Sequence, residues 1–300
     1  MARRSTPLPE PFPGKSFSVA TARGHGIPRR RTRGRDLIQP HRGVRAPAGV
    51  VFSFARECAT LFLVLPSCSA FSHVTAARLH DLPLPLALQN DDFFDVIVPR
   101  GVRAPRRKRV RGHQSALGEK DVDKRTKVRA TTPERTFCDL ATMLTLGQLV
   151  AVGDELLARG GPPARKRLET AVRQHPSRRH RRVLCRALDL LDRRAESPKE
   201  SELRVLLIEA GFSAPAVNHV VRTTDGAFVA RVDLAYPQLK IAIEYEGDHH
   251  RENKDQWRKD LKRRRRLEAL GWLYLAVTQA DLDDPTDLIA DLRAAVARRS

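Results

Sequence analysis

The sequence predicts an α/β protein built from two units, and three observations carry that prediction. A capped helical pattern over 197–210 is followed by three segments of period-two alternation, 217–223, 227–236 and 239–246. A further apolar run at 272–277 and a helical pattern at 285–298 complete a mixed sheet flanked by helices. Ahead of them, residues 49–191 carry mostly helical spacing with one short strand, which predicts a mainly helical α+β unit. The expected division is a basic, disordered arm over 1–48, an α+β domain over 49–160, a basic helical connector over 161–196 and the mixed-sheet domain over 197–300.

Three hundred residues are enough for two domains, or three, each with its own core. The chain holds 55 Lys and Arg against 35 Asp and Glu, a formal net charge of +20. That balance favours polyanions, nucleic acid first and anionic membrane surfaces second. Arg- and Ala-rich chains also arise from G+C-rich coding, so charge alone does not fix the partner. Cys58, Cys68, Cys138 and Cys185 stand far apart and form no CxxC pair, which argues against a disulfide framework or a zinc site. Residues 50–71 are the most apolar stretch, but Arg56, Glu57 and Pro66 interrupt it, and a spanning helix needs roughly twenty apolar residues. The first residues hold arginines but no apolar run before a cleavage site, so no secretory signal is read. A cytoplasmic protein with no membrane partner is expected.

In order along the chain, 1–48 is rich in Pro, Gly and Arg, including Arg29-Arg30-Arg31, with almost no periodic apolar pattern. Helices are predicted over 53–65, ended by Pro66, and over 72–80 with Ser72 as N-cap. Residues 94–98 read as a strand stopped by Pro99, and 100–111 as a basic solvated hairpin or loop. At 131–136 a capping Thr and Pro133 open a helix in which Phe137, Leu140, Ala141 and Leu144 share a face. Further helices are predicted over 146–159 and much of 163–191, the latter crowded with Arg and His between 173 and 183.

Phe71-Ser72-His73-Val74-Thr75-Ala76-Ala77-Arg78-Leu79 and Thr132-Pro133-Glu134-Arg135-Thr136-Phe137-Cys138-Asp139-Leu140-Ala141 resemble the AbiEi-type antitoxin-like region of actinobacterial proteins. The resemblance covers about 50–160. Proteins of that group often begin with a winged helix that binds DNA. Here only 36–44 resembles the end of such a wing, and no recognition helix is read ahead of it.

In the last third, Ser197-Pro198-Lys199-Glu200 forms a capping box with Pro at the first helical position. Leu203, Leu206, Leu207 and Ala210 then fall on one face, and Glu202 lies at its edge, able to lean toward a site or simply into solvent. Asp225-Gly226 joins the first two strands, and Tyr236-Pro237-Gln238 turns the second into the third. Alternation puts Val232, Leu234 and Tyr236 with Leu239, Ile241, Ile243 and Tyr245 on one face, and Arg231, Asp233, Glu244 and Glu246 on the other. If Tyr236 and Leu239 flank a tight turn, Asp233 faces Ala242 and Glu244 faces Arg231. The two acids are then diagonal neighbours with Cβ atoms about 7 Å apart.

Carboxylates that close repel unless a cation joins them, and magnesium takes hard oxygens from one or two carboxylates plus water and phosphate. The competing reading is a solvated face with an Arg231–Glu244 cross-strand pair. Trp257, Leu261, Arg264 and Leu267 follow roughly one helical face. Arg258, Lys259, Lys262, Arg263, Arg265 and Arg266 surround it, suited to DNA backbone phosphates or to a merely solvated helix.

From Ser197 onward the chain resembles a domain related to the very short patch repair endonucleases, within the PD-(D/E)xK, restriction endonuclease-like superfamily. The resemblance is carried by Glu202, Arg231-Val232-Asp233, the segment 241–250, Gln256-Trp257, Gly271-Trp272 and 278–282. It implies a restriction endonuclease-like fold with Asp233 and Glu244 as ligands of Mg2+ (or Mn2+), joined by the Tyr245 carbonyl. A metal-activated water would then attack a DNA phosphodiester. Glu246 stands where the superfamily motif has lysine; some of its restriction enzymes use Glu there, as general base or second ligand. His250 would shuttle a proton or contact phosphate, an unperturbed His titrating near neutrality. Glu202 and Gln256 would orient the ion's waters or the scissile phosphate. The expected activity is that of a metal-dependent endodeoxyribonuclease. The alternative is a non-catalytic DNA-binding regulator of antitoxin type on a nuclease scaffold. RNA as substrate stays open, and so does a toxin–antitoxin or repair partner.

Overall fold

The computed structural model describes residues 7–123, 128–247 and 254–300, the side chains of 254–260 excepted. The fold is mixed α/β, with twelve α-helices and three sheets among the described residues. The chain divides into two compact units. Met1–Asp81 joins Leu86–Thr136, and Leu82–Pro85 joins Phe137–Ser300. None of the helices among the described residues is long and apolar enough to cross a membrane.

The amino-terminal unit begins with β1 (Phe17–Ser18), α1 (Val19–Gly24), a 3-10 turn at Arg31–Arg33, β2 (Leu37–Ile38) and β3 (Val44–Pro47). Its strands form a small sheet in the order β1-β3-β2. Ser18 Oγ accepts the Thr21 N–H at 2.9 Å and caps α1. Phe12, Phe17, Ala22 and Ile27 pack into a core with Leu8 and Leu37. The expectation of a disordered arm over 1–48 is therefore corrected for residues 7–48. Its apolar residues are shared among loop, strand, helix and turn, so no window of sequence shows a period.

The unit continues with α2 (Phe54–Phe62), β4 (Ala70–Phe71), α3 (His73–Leu79), α4 (Leu86–Gln89), β5 (Phe94–Pro99), β6 (Val110–Ser115), β7 (Val122–Asp123) and β8 (Ala130–Thr131). These strands make a five-stranded sheet in the order β6-β5-β4-β8-β7. Because β5 and β6 are parallel, 100–109 is a crossover, not the hairpin that was one reading of 100–111. Three of the five strands are two residues long, too short to show alternation, which is why a mainly helical half was expected.

Helix α5 (Pro133–Leu140) spans the division between the units. The carboxyl-terminal unit then holds α6 (Leu146–Gly160), α7 (Pro163–Gln174), α8 (Arg181–Leu190), α9 (Pro198–Glu209), β9 (Ala216–Arg222), β10 (Phe228–Tyr236), β11 (Ile241–Tyr245), α10 (Lys254–Ala269), β12 (Leu273–Val277), α11 (Gln279–Asp283) and α12 (Thr286–Arg299). The expected boundaries at 160 and 196 are thus replaced by one near Thr136. The physical reason is that α6 packs closely on α9: a Cβ on Gly147 would stand 3.2 Å from the Glu202 Cα. Deeper in the same contact, Asp154 Oδ2 accepts from Arg204 Nη2 and from Ser201 Oγ, both at 2.7 Å. These helices are part of the domain, not a connector.

The sheet of this unit runs β12-β11-β10-β9, parallel between β11 and β12 and antiparallel elsewhere. One face packs Leu234, Tyr236, Ile241, Ile243 and Val277 against Leu203 and Leu207 of α9 and Leu288 and Leu292 of α12. Full burial of each such leucine stabilises by about 2 kcal/mol. The other face packs Val232, Ala235 and Ala242 against Leu267 of α10 and Trp272. Val232 and Leu234 therefore join different clusters, where strict alternation put them together. Asn218, at φ +51°, stands in β9 level with Asp233, between the pairs Val232↔His219 and Leu234↔Val217, and the alternation breaks there.

Candidate active site

The link between β10 and β11 decides which carboxylates meet. Pro237–Leu239 forms a 3-10 turn and Lys240 follows in the left-handed region at φ +49°. The Leu270 carbonyl accepts from Lys240 Nζ at 3.0 Å, and the Lys240 carbonyl accepts the Leu273 N–H at 2.8 Å. Four residues are consumed, so Tyr236 pairs with Ile241, Ala235 with Ala242 and Leu234 with Ile243. The tight-turn register is corrected: the ladder ends at Leu234↔Ile243, and continued by one step it would set Asp233 level with Glu244, not with Ala242.

Backbone pairing between β10 and β11 stops at this point, and the side chains take over. Asp233 Oδ2 accepts the Tyr245 N–H at 2.9 Å, satisfying a backbone donor that has left the ladder. On the other side, the Glu246 N–H donates to the Val277 carbonyl at 2.7 Å, holding β11 to β12 beyond Tyr245. Glu244 is buried, and its Oε2 accepts from Arg263 of α10 and, at 3.0 Å, from the Tyr274 hydroxyl of β12. Tyr274 also lies 3.2 Å from Glu246 Oε1, so one hydroxyl serves two carboxylates, the buried Glu244 and the exposed Glu246. The Arg231–Glu244 pair of the competing reading does not form. Arg231 pairs with Glu196 at 2.6 Å, and both side chains are half exposed.

Electrostatics follow from this packing. Burial pushes the Asp233 carboxyl above the usual range, against the pull of the Tyr245 N–H and the charges of Arg263 and Arg231. The Tyr274 hydroxyl is pushed well up, by burial first and then by the charge of Glu244. A negative site that burial penalises is one that a cation would relieve. The donors are hard carboxylate oxygens, and the Tyr245 bond leaves Asp233 Oδ1 for another partner, so the set fits magnesium or manganese. Among the described residues no three His, Cys, Asp or Glu side chains converge closely enough to hold an ion alone. An ion held here would complete its shell with water or substrate oxygens.

The leading helix supplies a different glutamate from the one expected. Glu202 pairs with Lys199 at 3.1 Å and lies on the side of α9 that meets Gly147 of α6. No contact joins it to Asp233 in the described structure. Glu200, buried, instead has its pKa raised by desolvation first and, among the other causes, by the charge of Asp233. Its Oε2 accepts the Glu196 N–H at 3.0 Å, while Ser197 Oγ caps the Glu200 N–H at 3.1 Å. The expected reciprocal box is thus displaced by one residue. The sequence signal was present: Glu200, Leu203 and Leu207 share the spacing of the sheet-facing stripe.

Of the remaining candidates, His250 lies outside the described residues, and the side chains of Gln256, Arg258 and Lys259 are likewise outside them. Lys262, Arg265 and Arg266 are exposed on α10, suited to phosphate. Arg263, placed by sequence among those phosphate contacts, turns inward to Glu244. Arg264 ion-pairs with Glu268 at 2.9 Å and stands 5.1 Å over the Tyr274 ring. Tyr274 escaped the sequence reading because 272–277 reads as one apolar run, although Trp272 and Tyr274 alternate with Leu273 and Leu275.

No family model matches the chain. Two relatives, both named only as uncharacterized proteins, come from Mycobacterium tuberculosis strains CDC 1551 / Oshkosh and ATCC 25618 / H37Rv. Each is 31% identical over 153 residues, which is 51% of this chain and 56% of the relative. The chain spans little more than half the length of the curated relatives it matches. No solved structure matches.

Proposed function

We propose that the carboxyl-terminal unit is a magnesium-dependent endonuclease that hydrolyses DNA phosphodiester bonds. The observation that carries this reading is that Asp233 bonds the Tyr245 N–H, next in the chain to Glu244, where β10 and β11 part, while Glu244 faces the basic helix α10. Asp233 and Glu244 hold Mg2+ or Mn2+, which when bound supplies Lewis-acid polarisation of the phosphate and a water of lowered pKa. Glu246, exposed and steadied by Tyr274, accepts a proton at Oε2 from the attacking water. Lys262, Arg265 and Arg266 bind backbone phosphates and set the register of the duplex without reading its sequence. The resemblance to the very short patch repair endonucleases supports the same assignment. The test is incubation with supercoiled, nicked, mismatched and single-stranded DNA in magnesium or manganese. Wild type is expected to cleave at least one of these and Asp233→Ala none; equal background from both would end the enzyme reading.

A second reading, a non-catalytic DNA-binding regulator, is favoured by two observations. Glu244 already has a resident cation in Arg263. At the other end of the chain, α1 and the β2–β3 hairpin flank a turn that carries the exposed Arg29, Arg30 and Arg33, an arrangement able to present charge to a phosphate backbone, while Arg31 is paired to Asp36. This reading predicts salt-sensitive DNA binding that survives loss of both Asp233 and Glu244.

A further inference from the structure

Glu244 and Arg263 differ in their access to solvent. The Glu244 side chain is 6% exposed and that of Arg263 34% exposed. The carboxylate is fixed in a strand between β10 and β12, whereas the guanidinium ends a long stem on the helix surface. Arg263 is the more exposed and more flexible partner, and its departure would take a cation from a buried carboxylate. Removing one partner of a buried pair is costly unless another charge replaces it. Its neighbours Lys262, Arg264, Arg265 and Arg266 are all exposed, so a phosphodiester backbone drawn to α10 arrives within reach of Arg263 as well. A guanidinium bonds phosphate through two parallel N–H donors, as it does a carboxylate, so the phosphate is a competitor of matching geometry.

We infer that Arg263 is an internal cation that closes the acidic site in the free protein and passes to a backbone phosphate when DNA binds. A divalent ion then takes its place at Glu244. This inference rests on the nuclease reading and names the order in which its ligands assemble. Guanidinium leaves the Glu244 carboxylate for phosphate, and the divalent ion enters with water, its two charges offset by Glu244 and Asp233. DNA and metal therefore bind with positive coupling, and by linkage each raises the affinity of the other by the same factor. Neither ligand assembles the site efficiently alone, which limits metal loading away from DNA.

The experiment is a manganese titration of the full chain, read by the electron paramagnetic resonance signal of the free aqueous ion. It is run with and without a short phosphorothioate duplex, and binding by the duplex alone is subtracted. Wild type is expected to bind Mn2+ about tenfold tighter, or more, with the duplex present. Arg263→Gln is expected to bind Mn2+ about tenfold tighter than wild type without DNA, and to gain less on adding it. Arg263→Lys, which keeps the charge, is expected to stay near wild type. The wild-type comparison needs no variant and so is immune to misfolding. Equal Mn2+ affinity of wild type with and without duplex overturns the inference and leaves the nuclease reading standing. Failure of Mn2+ to bind in either condition overturns both.

Discussion

Replacing Asp154 by alanine should destabilise the carboxyl-terminal unit far more than any substitution on its surface. Asp154 is 2% exposed and Arg204 4% exposed, at the centre of the contact between α6 and α9. The carboxylate accepts from Arg204 Nη2, from Ser201 Oγ and from the Asp192 N–H, each at 2.7 Å. Arg204 keeps one acceptor after the change, the Leu190 carbonyl. An uncompensated buried charge of this kind costs about 3–5 kcal/mol, and the orphaned Asp192 N–H adds about 1 kcal/mol. Against a total stability of roughly 5–15 kcal/mol, such a loss leaves the unit marginal. Both tryptophans, Trp257 and Trp272, lie in this unit, so fluorescence during urea unfolding reports it selectively. With a slope of about 2 kcal/mol/M the midpoint should fall by about 2 M. The double variant Asp154→Leu with Arg204→Met should recover most of the loss, because well-packed apolar groups often replace a buried pair without penalty. A loss below about 1 kcal/mol for Asp154→Ala would refute the argument that this pair fixes α9 and the Glu200 it carries.

In the amino-terminal unit, burial opposes charge on Asp95, but hydrogen bonds from His113 and Arg111, with the charges of Arg111 and His73, hold its carboxyl below the usual range. A depressed folded pKa gives stability that is present above the unfolded value, about 3.9, and is lost as pH falls through the folded one. Circular-dichroism melts should show that acid loss in wild type and not in Asp95→Asn, with Arg111 still paired to Asp91. Gly112→Ala should cost about 2 kcal/mol in the same melts, because the new Cβ would stand 2.6 Å from the Pro105 carbonyl oxygen, a backbone atom that cannot rotate away. For DNA binding, replacing Lys262 and Arg266 by glutamine should lower the slope of log K against log salt by about 2. An unchanged slope would place the phosphate contacts elsewhere.

What could be read from sequence was what repeats. Helix α9 was legible because Ser197, Pro198 and the leucine spacing all point to one start, and the structure caps it at Ser197. The two strands joined through Asp225-Gly226 were legible as strands from alternation and a turn pair, although alternation misplaced Val232. Register was not legible, because it depends on whether Lys240 enters the left-handed region, and nothing in Pro237-Gln238-Leu239-Lys240 demands that locally. Two residues of shift there put Ala242 opposite Ala235 and carried the register of Asp233 toward Glu244. The partners Arg263 and Tyr274 come from α10 and β12, far along the chain, so only tertiary packing could bring them to Glu244. The small first sheet escaped for the opposite reason: its order comes from a few contacts spread over many turns.

The glutamate at position 246 bears on how the acidic site is balanced. A lysine at position 246 would bring its cation on the same strand as Glu244, at a fixed distance set by alternation. Glu246 brings an anion, and the compensating groups come from other elements: a guanidinium from α10 and a hydroxyl from β12. A cation on the strand is always present, whereas a cation on a surface helix can be drawn away by an approaching phosphate. A pair of acids balanced in this way is best defended when no ligand is near, and most exposed to a divalent ion when α10 is engaged. On the proposed reading, the cation beside Glu244 stands on α10, where an approaching phosphate would compete for it.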